Sequence, residues 1–145
     1  MENVKTTTAQ NILRIVLAIF MILAGIGHLS FQRTDFQAQV PNWFPMNKDT
    51  VVLLSGVVEI AMGLLLLFYK SKRAYVGMVL AVFYVLVFPG NIAQYVNGID
   101  AFGLNSDKAR LARLFFQPVL ILWALWSSGA LRYFTLKRNT AEGIS

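Results

Sequence analysis

The chain has 145 residues, of which 57% are hydrophobic and 14% are charged, and this is too apolar for a soluble domain of its size. It contains no cysteine, which excludes disulfides, thiol–disulfide catalysis and cysteine-ligated iron–sulfur clusters, and its single histidine excludes a bis-histidine haem in one copy. The formal charge is +6, but the basic residues border the hydrophobic runs, which indicates membrane orientation and argues against a nucleic-acid partner.

Four apolar segments are each about long enough to cross a bilayer, since a helix needs ~20 residues to span the ~30 Å hydrocarbon core. They are residues 12–31, 51–69, 74–97 and 111–128. A cleaved signal peptide is the alternative for the first segment. Its apolar run is long for that purpose, and no small-residue cleavage site follows. The sequence therefore predicts an all-α fold, a single-domain transmembrane four-helix bundle in contact with membrane lipid.

The distribution of basic residues predicts the orientation of the chain. Four spans place both termini on one side of the membrane, together with the short second loop. Eight Lys and Arg residues fall on that side and five on the other. Because positive charge is retained in the cytoplasm, the pattern predicts cytoplasmic termini. The loop at residues 70–73 is so short that the second and third spans should form a tight antiparallel hairpin.

Every span carries a polar side chain within or at the edge of its apolar run. Lipid solvates such groups poorly, so they should face one another, and a carboxylate in mid-span is the most costly. With these span ends, all of them fall in the half of the bundle away from the termini. They are His28, Glu59, Asn91, Arg113 and Gln117. We expect Glu59 and Arg113 to form a buried ion pair, which either fixes helix registry or serves a ligand site.

Small residues and a proline accompany these polar groups. Gly25 and His28 are spaced so that they share one face of the first span. Glycines in such stripes let membrane helices approach closely, and packing alone is a sufficient role for them. Pro89 cannot donate a backbone hydrogen bond, so it should free the carbonyl of Val85 and kink the third span. We expect the kink to border a polar pocket, with Gln94 and Tyr95 near its mouth.

The polar groups suit a quinone headgroup, which is flat and apolar, accepts hydrogen bonds at two carbonyls and exchanges protons on reduction. Glu59 and His28 are the candidate catalytic residues, because a buried carboxyl and an imidazole can exchange protons near neutral pH. The candidate ligand-binding residues offer hydrogen bonds or ring surfaces. They are Asn91, Arg113, Gln117, Tyr84 and Phe88, with Trp123 as a further ring.

Two other kinds of site are disfavoured by the sequence. One histidine and one glutamate at different heights lack the spacing of a metal ligand set, so no metal site is predicted. The few polar residues on four short spans leave no continuous wet path, which argues against an ion channel in a single copy.

Five short motifs follow one another along nearly the whole chain. They are GIGHL at 25–29, VPNWFP at 40–45, SGVVEIAMGL at 55–64, VFPGNI at 87–92, and Arg113 followed by Gln117-Pro118. In order and spacing this set resembles the DoxX-like family of small bacterial membrane proteins. The Pro-Gly-Asn of the fourth motif departs from the Pro-Ala-Asn of that family.

The resemblance implies a four-helix protein of the bacterial cytoplasmic membrane. It also implies links to quinone-coupled oxidation, including thiosulfate:quinone oxidoreductase, and to oxidative-stress complexes. The residues that it carries over to this chain are His28, Glu59, Pro89, Asn91, Arg113 and Gln117.

Three functions remain open from the sequence. The first is a quinone-associated subunit of an oxidoreductase or oxidative-stress system, which has no redox cofactor of its own and depends on bound quinone or a partner oxidoreductase for electrons. The second is a non-catalytic binding or assembly protein of the membrane. The third is a small-molecule permease or lipophile-binding protein of emopamil-binding type, in which Glu59 binds a cationic ligand.

Overall fold

A computed structural model describes residues 4–143, and this part of the chain forms six α-helices and one 3₁₀ turn at Lys70–Lys72. The helices are α1 Thr8–Leu29, α2 Arg33–Gln37, α3 Lys48–Phe68, α4 Arg73–Val96, α5 Asp107–Ser127 and α6 Ala130–Ala141. Of these, α1, α3, α4 and α5 are long and apolar enough to cross a membrane, and they pack together. The predicted all-α four-helix bundle is confirmed, and the chain is a multi-pass membrane protein.

The four long helices form a ring in the order α1, α3, α4, α5, in which α1 packs closely on α3 and α4 on α5. Contacts between α1 and α5, and between α3 and α4, are fewer. Glycines allow the close pair α1 and α3. A Cβ on Gly25 would lie 2.6 Å from Ile60 and 2.7 Å from the carbonyl oxygen of Gly56. A Cβ on Gly63 would lie 2.8 Å from the carbonyl oxygen of Ala18, so neither position accepts a side chain without separating the helices.

The two ends of the bundle differ in what closes them. We call the end that carries residues 30–47 and 97–106 the loop end, where Phe36 contacts Phe102. At the other, terminus end, residues 4–7 lie against the start of α6, and Arg132 donates to the carbonyl of Lys5 at 3.0 Å. The short helices α2 and α6 were not predicted, because neither belongs to an apolar run of membrane length.

Polar caps make the long helices begin before their apolar runs. Asn47 accepts from the backbone N–H of Asp49 at the start of α3, and Ser106 accepts from Ala109 at the start of α5. Glu59 is therefore ~17 Å along α3, at ~1.5 Å per residue, and lies near the middle of that helix. This corrects the expectation that every polar group would fall in one half of the bundle.

The terminus half of the bundle has an apolar core with one buried cation. Leu17, Leu66 and Leu80 are fully buried there. Arg14 is also buried, and its guanidinium donates to the carbonyl oxygen of Leu66 and, at 3.4 Å, to that of Leu67. These carbonyls end α3 and have no partner within the helix, so Arg14 caps them.

Candidate functional site

A cavity of about 750 Å³ lies between the long helices and extends from the loop end to the middle of the bundle. This volume falls in the range of roughly 300–1,000 Å³ that is typical of small-molecule sites. Most of its wall is apolar. The polar side chains that line it are His28, Gln32, Gln39, Ser55, Glu59, Arg113 and Gln117, together with the ring of Tyr84.

His28 and Glu59 meet on this wall. The Nε2 atom of His28 lies 3.2 Å from Oε2 of Glu59. Helix direction explains the meeting, because side chains tilt toward the N-terminus of their own helix and α1 and α3 run in opposite directions. His28, at the loop end of α1, tilts inward, and Glu59, in the middle of α3, tilts toward the loops. The two candidate catalytic residues are therefore neighbours.

The contacts of the His28 ring define where its protons lie. Its Nδ1 is 3.1 Å from the carbonyl oxygen of Val52 and 3.0 Å from Oγ of Ser55. A carbonyl only accepts, so Nδ1 carries the hydrogen and Nε2 faces the Glu59 carboxyl. That approach lacks hydrogen-bond geometry, and neither Nε2 nor Oε2 has another partner. Without a further proton, Nε2 and Oε2 are both hydrogen-bond acceptors. A proton on either atom would let that atom donate a hydrogen bond to the other.

Glu59 and Arg113 do not form the predicted ion pair. Within residues 4–143, the basic side chain that comes within 4 Å of the Glu59 carboxylate is the imidazole of His28. Helices α3 and α5 occupy opposite corners of the ring and make no contact, so the cavity separates the carboxylate from the guanidinium. Both groups line the same cavity, and neither points at lipid.

Arg113 is held by a buried glutamine instead. Its Nη1 donates to Oε1 of Gln117 at 3.1 Å, and Asn91 Nδ2 donates to the same oxygen at 3.2 Å. The Gln117 amide in turn donates to the carbonyl oxygen of Tyr84 at 2.7 Å. Tyr84 lies one residue before Val85, whose carbonyl lacks an N–H donor from Pro89 in α4.

Three predicted ligand contacts do not reach the cavity. Asn91 lies on the face of α4 that packs on α5, behind Gln117, and Phe88 also lies outside the cavity wall. Trp123 likewise does not line the cavity and donates from its indole to the carbonyl of Leu13 at 3.0 Å. Gln94 is buried and accepts from Gln39 at 3.2 Å, so it holds the loop rather than forming an open mouth.

Aromatic residues of the loop end supply the rings that the sequence analysis missed. Phe36 of α2 stacks on His28 with ring centroids 3.4 Å apart and planes inclined by 29°. Trp43, Phe44 and Phe102 also line the cavity. Trp43 and Phe44 belong to the VPNWFP motif but were not assigned to the site, and no local pattern marked Phe36. Within residues 4–143, no three His, Asp or Glu side chains are grouped as metal ligands.

The fold and the cavity define a multi-pass helical membrane protein with a buried polar site of small-molecule size. The chain belongs to the family described as Domain of unknown function (DUF8561), which matches residues 17–128. The matched range covers α3, α4 and α5, most of α1 and both loops of the loop end, so it includes every residue of the cavity. No curated protein and no solved structure matches the chain.

Proposed function

We propose that the cavity binds a quinone headgroup and that the protein is a quinone-associated subunit of an oxidoreductase or oxidative-stress system. One observation carries the proposal. A proton-exchanging pair, His28 and Glu59, and a cationic donor, Arg113, line one cavity, which separates the pair from the guanidinium. A quinone has two carbonyl oxygens on opposite sides of one ring, so one oxygen can contact the His28–Glu59 pair while the other contacts Arg113.

The roles of the residues follow from their contacts. Arg113, held by Gln117, donates a hydrogen bond to one carbonyl of the headgroup. The His28–Glu59 pair delivers one proton to the other carbonyl when the ring takes up two electrons, or takes that proton back when the ring is oxidised, and the guanidinium of Arg113 stabilises the oxygen that remains anionic. Tyr84 and Phe36 offer ring surfaces beside the headgroup. The chain has no cysteine, so we assign the electrons to a partner oxidoreductase.

The resemblance to the DoxX-like family supports the same proposal. Of the residues that this resemblance carries over, His28, Glu59, Arg113 and Gln117 line one cavity. On this basis we also propose that the protein resides in the bacterial cytoplasmic membrane with its termini in the cytoplasm.

The alternative of a cationic lipophile is less well supported. Such a ligand needs an uncompensated carboxylate among aromatic rings. The lining of the cavity also carries the guanidinium of Arg113, which repels a cation. If the protein served only in assembly, a cavity of this size would have no ligand.

Binding of a short-chain benzoquinone to the purified protein in lipid nanodiscs tests the proposal. We expect saturable quenching of tryptophan fluorescence, because Trp43 lines the cavity. Glu59→Gln and Arg113→Gln should each weaken binding by about tenfold, the equivalent of ~1.4 kcal/mol for one lost hydrogen bond to a charged group. Glu142→Gln and Arg138→Gln, at exposed positions of the terminus end, are the matched controls. Absence of saturable binding to the wild-type protein would refute the proposal.

A further inference from the structure

We infer that the ligand of this cavity carries a long hydrocarbon tail, which leaves the cavity between α1 and α5 into the lipid while residues 32–44 cover the headgroup on the water side. The inference rests on the proposed function in that it concerns the same site, but the opening itself does not depend on which headgroup is bound.

The water side of the cavity is covered by a loop held at several points. The Arg33 guanidinium donates to Asp49 of α3, from Nε at 2.6 Å, and this hydrogen bond raises the pKa of Arg33, which keeps it charged. Gln39 donates to Gln94 of α4 at 3.2 Å. The backbone carbonyl of Gln39 also lies against Gly90 so closely that a Cβ there would collide with it. Residues 32–44 thus form a lid tied to two long helices.

The lipid side is closed less completely. Phe20 and Leu23 of α1 line the cavity and are also 45% and 60% exposed. Phe20 is two turns from Leu13, whose carbonyl accepts from Trp123, so it lies on the side of α1 that faces α5. Leu120 of α5 lines the cavity as well. The cavity therefore reaches lipid beside Phe20, on the α5-facing side of α1, where α1 and α5 pack less closely than the pairs α1–α3 and α4–α5.

The composition and size of the cavity identify the occupant of this opening. The polar groups lie at the level of His28 and Glu59, and the wall beside the opening is apolar, with Phe20, Leu23 and Leu120. A ligand that follows this wall has a polar head and an apolar extension. A volume of about 750 Å³ holds a headgroup and a short part of a chain, so the remainder of an isoprenoid-length tail lies outside, in lipid.

Ala24 provides a test of this opening, because it is small, lines the cavity and stands one turn from both Phe20 and His28. Ala24→Phe should obstruct the tail but leave in place the side chains that contact the headgroup. We expect it to weaken binding of a long-tailed quinone by about tenfold or more, the usual consequence of inserting a ring into filled space. Binding of the same headgroup without a tail should be unchanged. Ala61→Phe, on the lipid-exposed surface of α3 outside this cavity, is the matched control.

A second measurement tests the opening without any quinone. The chain has no cysteine, so a nitroxide can be attached at a single introduced residue. Leu120 lines the cavity from a buried position, so a label at Leu120→Cys should be relaxed by lipid-soluble oxygen less than one at lipid-exposed Leu122→Cys but more than one at Ala124→Cys, and only weakly by a water-soluble nickel chelate. A label at Ala124→Cys, buried outside the cavity, should be shielded from both reagents. Should Leu120→Cys disrupt folding, Ala24→Cys replaces it at the same wall.

The outcomes separate the two proposals. If the label at position 120 is as shielded as that at 124, or is relaxed by the chelate as strongly as by oxygen, the opening to lipid does not exist. The inference is also overturned if Ala24→Phe weakens the binding of tailed and tailless quinone equally. If neither quinone binds while the label at 120 is accessible from lipid, the quinone proposal fails and the lateral opening stands.

Discussion

The Nε2 atom of His28 and Oε2 of Glu59 face each other at 3.2 Å across the interface of α1 and α3, with no hydrogen-bond partner for either atom. Both atoms are removed from solvent, and the other ring nitrogen of His28 is occupied by the carbonyl of Val52. The two side chains therefore form one polar unit, to which we assign proton exchange as a proposal. Arg113 belongs to a separate unit with Gln117 on the other side of the cavity.

Two substitutions at Glu59 should distinguish the effect of a hydrogen bond to His28 from the effect of the carboxylate charge. In Glu59→Gln the amide can donate to Nε2 of His28, so we expect the free energy of unfolding to change by less than about 1 kcal/mol. In Glu59→Leu that nitrogen cannot gain such a hydrogen bond, so we expect Glu59→Leu to be less stable than Glu59→Gln by about 1–3 kcal/mol. Thermal unfolding in detergent measures both. Equal stability of the two variants would show that the His28 contact contributes nothing.

Gln117 should be the most sensitive polar residue for stability. It is fully buried and connects Arg113, Asn91 and the carbonyl of Tyr84. Gln117→Ala leaves that carbonyl without its partner and opens a cavity, so we expect a loss of about 2–4 kcal/mol in unfolding free energy. Asn105→Ala, at an exposed loop position, should change it by less than about 0.5 kcal/mol. A loss at Gln117 no larger than at Asn105 would contradict the network.

Gly90 should control the position of the lid. A Cβ at this residue collides with the backbone carbonyl of Gln39, so Gly90→Ala should displace residues 32–44 from α4. We expect faster amide hydrogen exchange in that segment, with exchange in α1 and α5 unchanged. Ala112→Ser, which adds one heavy atom at an exposed position of α5, serves as the control. Unaltered exchange of the lid in Gly90→Ala would mean that the loop accommodates the methyl group.

Arg14 should stabilise the terminus half of the bundle by capping α3. Arg14→Leu removes the donors to the carbonyls of Leu66 and Leu67 and leaves them buried, which should cost about 1–3 kcal/mol. Arg138→Leu, at an exposed position of α6, should have little effect. Because Arg14 is remote from the cavity, binding of a short-chain benzoquinone should be the same in Arg14→Leu as in wild type under conditions where both are folded.

Much of the architecture could be predicted from the apolar runs, because their length and spacing are local properties of the chain. The helix starts were harder to predict. Their caps, such as Asn47 and Ser106, lie in the polar segments before the runs. Because α3 begins at Lys48 and not at residue 51, Glu59 lies further along the helix than the predicted span indicated. Phe36 could not be assigned to the site at all, since its contact with His28 depends on how the loop folds back.

The sequence by itself determined that four segments cross the membrane and that His28, Glu59, Arg113 and Gln117 turn inward, because hydrocarbon rejects polar groups wherever the helices are placed. Only the tertiary structure decided which of them meet. The periodicity of a helix specifies its inward face but not its neighbours in the ring, and α3 lies beside α1 and opposite α5. Glu59 therefore faces the imidazole of His28, and the cavity separates it from Arg113.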